Sequence, residues 1–391
     1  MSKVVSLDAV KASQADRPIA FIDLKAQGER LRPKIDAAVT RVLDHGAYVN
    51  GPEIDELEAK LKAYTGAADA VAVSSGTDAL VIAMMGEEIG VGDAVFIPAF
   101  TYNATANAVL MVGATPVFVD VDPETFNLCP RHLEQSINAV KKSGALKPKA
   151  IVGVDLFGRP ADYDAIHTIA AADELIVMAD AAQSFGGTYK GKRVGAAAPI
   201  SGTSFFPAKG LGCYGDGGAM FTMDPDKGAL WRSIRFHGTD EGRRISVRVG
   251  LNGRLDTFQA AILLVKLSVY DEEWQTRAKA AAVYESALEG VVGLPRREEG
   301  VVSSYGLFSV LLPEAADRDG IQARLKEDGI PTAIYYPVPL HRQPAFESFT
   351  PAGGLPATEM CAERILALPM HPYLSEEQAA FVCEKLQGAL A

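Results

Sequence analysis

Cysteine is scarce in this chain of 391 residues. There are four, Cys129, Cys213, Cys361 and Cys383, and no two form a C-x-x-C pair. That spacing offers neither a zinc site nor a disulfide framework, and it fits thiols kept reduced in a cytoplasm. No run approaches ~18 consecutive apolar residues, which excludes a membrane span. Residues 1–18 lack the apolar stretch of a secretory signal and read as a mobile tail. Positive charge is also short. Lys and Arg number 38 against 49 Asp and Glu, a formal net charge of -11. Such a chain repels a phosphate backbone, so general nucleic-acid binding is excluded, and any anionic ligand must be met by a local basic patch. There is no internal repeat and no low-complexity segment.

What is present is a substantial apolar content, 48% of the residues, enough for a large domain and a smaller companion. Helical periodicity runs from Gln27 to about Asp44 and from Glu53 to about Tyr64. An alternation follows: strands at 70–73, 94–97, 115–119, 150–154 and 175–179 are separated by helices at 77–85, 104–112, 130–142 and 163–172. Strands alternating with helices predict an α/β fold with a mostly parallel central sheet sandwiched by helices, whose chemistry lies at the carboxyl ends of strands. After residue 209 a strand (219–222) and three helices (227–235, 256–267, 274–289) are expected. From about residue 303 a smaller C-terminal α+β unit is expected, with a strand at 307–312 and helices at 321–328 and 375–390. The expected division is 19–265 for the large domain and 266–391 for the small one.

Four segments carry chemistry. SFFPAKGLG places Lys209 among Phe205, Phe206, Pro207 and Leu211. Desolvation there favours the neutral amine, the form that attacks a carbonyl to make a Schiff base. VMADAAQSFG sets Asp180 at the carboxyl end of an apolar strand. An acid there either caps a loop or pairs with the ring nitrogen of pyridoxal 5'-phosphate (PLP), keeping the ring electron-withdrawing. Gln183 is then placed for the ring's phenolic oxygen. SSGTDAL turns from strand to helix, which makes either a plain cap or an anion site for the cofactor phosphate. Tyr102, after the strand FIPAF, is either a core aromatic or a ring-stacking one. Gly210 to Gly215 matches the dinucleotide fingerprint G-x-G-x-x-G, but a strand-like AMFT follows instead of a helix, so a nicotinamide site is rejected.

Together the segments SGTDAL, FTYNAT, DAAQ, TSFFPAKGLG, GDGGA, LNGRLDTFQAA and YYPVPLHRQP resemble, in that order, the DegT/DnrJ/StrS group of nucleotide-sugar aminotransferases. The resemblance runs from FIDLKAQ at residue 21 to LPMHPYL at residue 374. It implies a fold-type I PLP enzyme working as a homodimer with shared active sites. It implies L-glutamate as amino donor and a nucleotide-linked keto-sugar, UDP-linked, as acceptor, for surface polysaccharide such as O-antigen. It further implies Lys209 as Schiff-base lysine and proton shuttle, Asp180 as pyridinium partner, and Gln183 at the phenolate. Gly76, Thr77 and Ser204 would hold the phosphate, with Asn252 reaching it from the neighbouring subunit, and Tyr102 would stack. Arg254, Tyr336 and His341 would meet the substrate, and no metal is implied. Family dehydratases carry His where this chain has Lys209, which favours transamination. Gly210 departs from the Pro or Asn that relatives often carry after the lysine.

The motifs IDLKAQ, SFFPAK-x-LGCYGDGGA, RVGLNGRLDTFQAAILL and LPMHPYL are most like those of members acting on UDP-2-acetamido-2-deoxy-3-oxoglucuronate. A local reversal of charge agrees. Arg232, Arg235, Arg243, Arg244, Arg248, Arg254 and His237 face only Asp240 and Glu241 between residues 232 and 254. This is either a solvated basic loop or a loop that meets an anionic sugar, with the arginine fork suited to a uronate carboxylate. A 4-keto-sugar aminotransferase, another PLP reaction on the same fold and a non-catalytic regulatory protein are the alternatives.

Overall fold

The computed structural model describes Leu7, residues 18–351 and residues 353–391. The expected tail lies outside the described residues apart from Leu7 and Pro18. Leu7 is buried against Ala26 and Tyr373.

The chain opens with two long helices, α1 (Leu24–His45) and α2 (Pro52–Thr65). Each is closed by a glycine in the left-handed region, Gly46 and Gly66, which an L side chain would strain. The alternation then appears as read: β1 (Asp69–Val73), α3 (Gly76–Gly86), β2 (Asp93–Pro98), α4 (Ala104–Met111), β3 (Thr115–Val119), α5 (Pro130–Ser143), β4 (Lys147–Val154), α6 (Tyr163–Ala172) and β5 (Ile176–Asp180). The short strands β6 (Thr188–Tyr189) and β7 (Lys192–Arg193) pair as a ribbon, and β8 (Ile200–Ser204) and β9 (Gly218–Thr222) complete the main sheet.

The main sheet has seven strands in the order β1-β9-β8-β5-β4-β2-β3. β8, β5, β4, β2 and β3 are mutually parallel, whereas β9 runs antiparallel to both β1 and β8. β8 had no counterpart in the sequence reading. Its ISGTS looks like a turn, yet it lies at the centre because small residues let α3 come close: a Cβ at Gly202 would stand 3.2 Å from that of Ala79. Apolar side chains from both faces of the sheet are enclosed by helices, with Val71, Val73, Val95, Ile97, Val152 and Met220 on one side and Phe96, Ile151, Val177 and Ala179 on the other. The inner strands are buried on both faces, as a helix-covered parallel sheet requires, while the edge strand β3 is partly open at Thr115 and Val117.

Beyond the sheet come α7 (Pro225–Ile234), α8 (Thr257–Leu267) and α9 (Tyr270–Leu288). The C-terminal part holds β10 (Val301–Val302), β11 (Phe308–Leu311), α10 (Arg318–Glu327), α11 (Pro356–Arg364), β12 (Ile365–Leu368) and α12 (Glu376–Leu390). α11 and β12 were not anticipated. β12 pairs antiparallel with β11. A separate core there includes Tyr284, Phe308, Leu325, Leu368, Val382 and Leu386. No described helix is long and apolar enough to cross a membrane.

Candidate active site

The carboxyl ends of β1, β4, β5 and β8 converge on a cavity of about 410 Å³. Its lining includes Gly76, Thr77, Tyr102, Asp180, Gln183, Ser204, Lys209 and Tyr336, so eight of the residues singled out in the sequence meet in one place. Thr101, Asp155, Phe206, Asp216 and Tyr335 line it as well.

One wall is the turn from β1 into α3. The Ser75 side chain accepts a hydrogen bond from the Asp78 N–H at 3.0 Å, which fixes the start of the helix. The N–H groups of Gly76 and Thr77, in the first turn, have no acceptor within the helix and carry its positive end toward the cavity. The packing around them admits no side chain. A Cβ at Gly76 would lie 2.8 Å from that of Ser204, and one at Gly218 would lie 2.6 Å from the Ser75 carbonyl oxygen. The result is a cradle of backbone donors with the Ser204 hydroxyl beside it, the donor set a phosphate needs.

Lys209 sits on the loop from β8 to β9. The loop is tied by the Lys209 N–H to the Phe206 carbonyl (2.8 Å), Cys213 N–H to Phe205 carbonyl (2.8 Å) and Phe205 N–H to Gly217 carbonyl (2.7 Å). The Gly210–Gly215 run belongs to this loop and leads into β9. Burial lowers the proton affinity of the Lys209 amine, and the nearby Asp180 carboxylate only partly opposes that. Cys213, enclosed beneath the loop, has its thiol pushed up to about 11 by burial and is inert at neutral pH.

Asp180 ends β5 and is 7% exposed. Its Oδ2 accepts from the Thr105 hydroxyl at 2.7 Å and its Oδ1 from the Ala182 N–H at 3.2 Å. Burial raises its proton affinity against those two hydrogen bonds and the Lys209 charge. Gln183 is oriented by Phe157, whose N–H donates to Oε1 at 2.7 Å, and its Nε2 donates to the Tyr336 hydroxyl at 3.2 Å. The Tyr102 ring is exposed and lies 6.1 Å from that of Tyr336.

Thr105 and Asp155 were missed. Thr105 stands inside FTYNAT, but nothing in that string reveals that its hydroxyl reaches a strand 75 residues away. Asp155 follows β4 directly, at the strand end where chemistry was expected. It accepts from the Ala161 N–H (2.9 Å), the Tyr163 hydroxyl (2.6 Å) and the Ser184 hydroxyl (2.7 Å). Burial nevertheless lifts its carboxyl to about 6.

Three expected site residues lie elsewhere. Asn252 is exposed and forms a bridge with Phe236, and Arg254 holds its guanidinium 4.8 Å over the Phe236 ring. Neither lines the cavity of its own chain. His341 is 1% exposed, with its Nε2 3.0 Å from Glu359. This placement does not meet its expected substrate role, because the ring is enclosed. The basic segment also divides. Arg232 and Arg235 belong to α7 and its end, and both pair with the buried Glu58. Arg243, Arg244 and Arg248 stay on the exposed stretch.

The cradle, the buried amine and the buried carboxylate at one cavity fit PLP. Comparison with known proteins agrees. UDP-2-acetamido-2-deoxy-3-oxo-D-glucuronate aminotransferase of Pseudomonas aeruginosa is 46% identical over 369 residues, 94% of this chain and 99% of that protein. The crystal structure of an aminotransferase from Brucella abortus superposes with a TM-score of 0.92 at 46% identity, covering 95% of this chain and 99% of that one. A Bacillus subtilis protein solved with bound cofactor PMP gives a TM-score of 0.84 at 28% identity, over 100% of this chain and 85% of its own. Residues 29–387 match the DegT/DnrJ/EryC1/StrS aminotransferase family. A match that spans the cradle, the lysine loop and the C-terminal part alike places the chain in that family of fold-type I, PLP-dependent aminotransferases.

Proposed function

We propose that the enzyme transfers the amino group of L-glutamate to UDP-2-acetamido-2-deoxy-3-oxoglucuronate, giving a 3-amino sugar nucleotide for surface polysaccharide, in the cytoplasm. The observation that carries the substrate is the 46% identity, over nearly the whole of both chains, to the Pseudomonas aeruginosa enzyme named for that sugar. The chemistry rests on Lys209 and Asp180 facing one cavity.

PLP, when bound, supplies an electrophilic carbon and a ring that draws electrons away from the substrate carbon. The residues of the chain do the rest. Gly76, Thr77 and Ser204 hold the phosphate by N–H and hydroxyl donation. Asp180 would pair with the ring nitrogen, its buried carboxylate held by Thr105 and the Ala182 N–H. The Oε1 of Gln183 is occupied by Phe157, so the second N–H of its Nε2, beside the one given to Tyr336, would be the donor for the ring's oxygen. Tyr102, on the cavity wall, would stack on the ring. Lys209, whose burial lowers its proton affinity, would carry a proton to and from the substrate carbon.

Asn252 and Arg254 enter as residues serving a second subunit's cavity in a homodimer. Their position outside their own cavity, with Asn252 exposed, supports that reading. The division into 19–265 and 266–391 is part of the same reading, supported by the separate core of the C-terminal residues.

The test is a panel of UDP-, GDP- and dTDP-linked keto-sugars with glutamate, measuring 2-oxoglutarate release. The UDP-linked 3-oxo uronate should give the highest kcat/KM. Arg254→Lys, which keeps charge but removes the fork, should raise KM for that acid about ten- to a hundred-fold more than for its 6-hydroxymethyl counterpart. Preference of the wild type for the neutral sugar sinks the uronate assignment, and preference for a 4-keto-sugar replaces it.

A further inference from the structure

A small chamber of about 30 Å³ adjoins the main cavity at the lysine loop. Ile22, Lys209, Gly210 and Gly306 line both spaces, so the chamber is a side branch beside the reactive amine. Arg277, from α9, forms part of its wall.

Arg277 is 3% exposed, and its Nε and Nη2 are fully enclosed without a hydrogen-bond partner among the described residues. The Tyr270 ring lies 5.2 Å from its Cζ. The surrounding carboxylates are engaged elsewhere. Glu273 accepts from Gln27 and from the Tyr373 hydroxyl, both at 2.7 Å, and faces Arg30 at 3.5 Å. Asp23, also on the chamber wall, caps α1 by accepting from the Ala26 N–H at 2.8 Å. A guanidinium stays protonated at any working pH, and burying it without an anion is strongly unfavourable.

Gly210 keeps the approach clear. A Cβ there would stand 3.6 Å from Arg277 Nη2 and 3.2 Å from the Tyr270 hydroxyl, so any longer side chain would fill the space between the loop and the guanidinium.

We propose that Arg277 receives a carboxylate of the amino donor in this side branch. Three features select that ligand. The space accepts a flat, three-atom head group and not a sugar or a phosphate ester. The fork of a guanidinium matches a carboxylate in two parallel hydrogen bonds. The amino-bearing carbon of the donor must come to Lys209, and its carboxylates lie within a few bonds of that carbon. Arg277 would thus sort donors by their carboxylates, a specificity separate from sugar recognition. The assignment rests on the transaminase reading with glutamate.

The two half-reactions separate the roles. Each is followed by cofactor absorbance in the holoenzyme, first with glutamate alone and then with the keto-sugar alone. Arg277→Lys, which keeps the charge and fills similar space, and Arg277→Met, which removes it, should raise KM for glutamate about ten- to a hundred-fold. KM for the sugar should stay within about two-fold, below the size of a lost charged hydrogen bond. Glutarate, which has both carboxylates and no amine, should raise the Tm of wild-type holoenzyme and leave both variants unmoved. Equal losses in both half-reactions, or a glutarate effect that survives in the variants, overturn the proposal. So does a Tm rise that depends on Arg277 but is produced by chloride and not by glutarate, because the chamber then holds an inorganic ion. A wild type that converts no cofactor with glutamate, while another amino acid does so, overturns the glutamate reading itself, a result the variant comparisons cannot produce.

Discussion

Glu58 offers the sharpest test of how the fold supports the cradle. It lies in α2, 6% exposed, and gathers four donors: the Ala72 N–H at 3.0 Å, Arg232 Nε and Nη2 at 3.1 and 2.8 Å, and Arg235 Nη1 in a very close contact. Removing the carboxylate in Glu58→Gln leaves the two cations unequal. Arg232 keeps Asp69 and the Ala70 carbonyl and has water on its exposed side. Arg235 keeps, among the described residues, the Ala72 carbonyl alone and is nearly enclosed. The cost therefore concentrates on Arg235, and breaking a buried pair from one side typically costs about 3–5 kcal/mol. Arg235→Met should cost less than that, because Glu58 retains Arg232 and the Ala72 N–H. Arg232→Ala should cost about 1 kcal/mol or less, as for other partly solvated pairs. The double variant Glu58→Gln/Arg235→Met should be more stable than the sum of the single changes by at least about 1 kcal/mol, the signature of a coupled pair. Urea titrations followed by circular dichroism give the four values. Strict additivity, or a loss below about 1 kcal/mol for Glu58→Gln, would refute the claim that this carboxylate neutralises Arg235.

Other outcomes follow from the site. Lys209→Ala should abolish transamination, and borohydride should fix the cofactor to wild type at that residue; turnover at the wild-type rate in the variant removes the assignment. Asp180→Asn should bind PLP yet lose most of its rate, since the ring loses its anionic partner; unchanged kinetics make Asp180 structural only. Asp155 binds its proton more tightly folded than unfolded, so between about pH 4 and 6 the folded state holds more protons and stability falls as pH rises. Asp155→Asn removes that contribution, so the variant should gain on wild type as pH goes from 4 to 7, and a constant difference across that range disproves it. Mixing inactive Lys209→Ala and Asn252→Ala proteins should restore partial activity through hybrid dimers; no recovery with subunit exchange verified counts against shared sites.

The alternating part of the fold was legible because its strands are apolar runs bounded by turn residues, as at 115–119, and its helices carry a 3.6-residue period. The same rhythm pointed to the strand ends where Asp180 and the Gly76–Thr77 turn lie. β8 was hidden because Gly202, Thr203 and Ser204 are chosen for close approach, not for hydrophobicity. The reversed direction of β9 leaves no trace in composition at all. The roles of Arg232 and Arg235 were misread as part of one basic loop because Glu58, their counter-charge, lies 174 and 177 residues away along the chain. His341 was taken with its motif neighbours as a substrate contact, but Tyr336 turns into the cavity while the backbone carries His341 onward to Glu359.

The order of the strands has a consequence for the protein as it is made. β1 joins the sheet only through β9, 145 residues further along, and every other strand between them can pair with a neighbour sooner. On the ribosome β1 thus remains an open apolar edge until residue 222 has emerged, the condition under which nascent chains aggregate or recruit chaperones. The phosphate cradle is also unfinished until then, since Ser75 and Gly218 meet only when β9 slots between β1 and β8. Completion of the cofactor's cradle is consequently a late event in biogenesis.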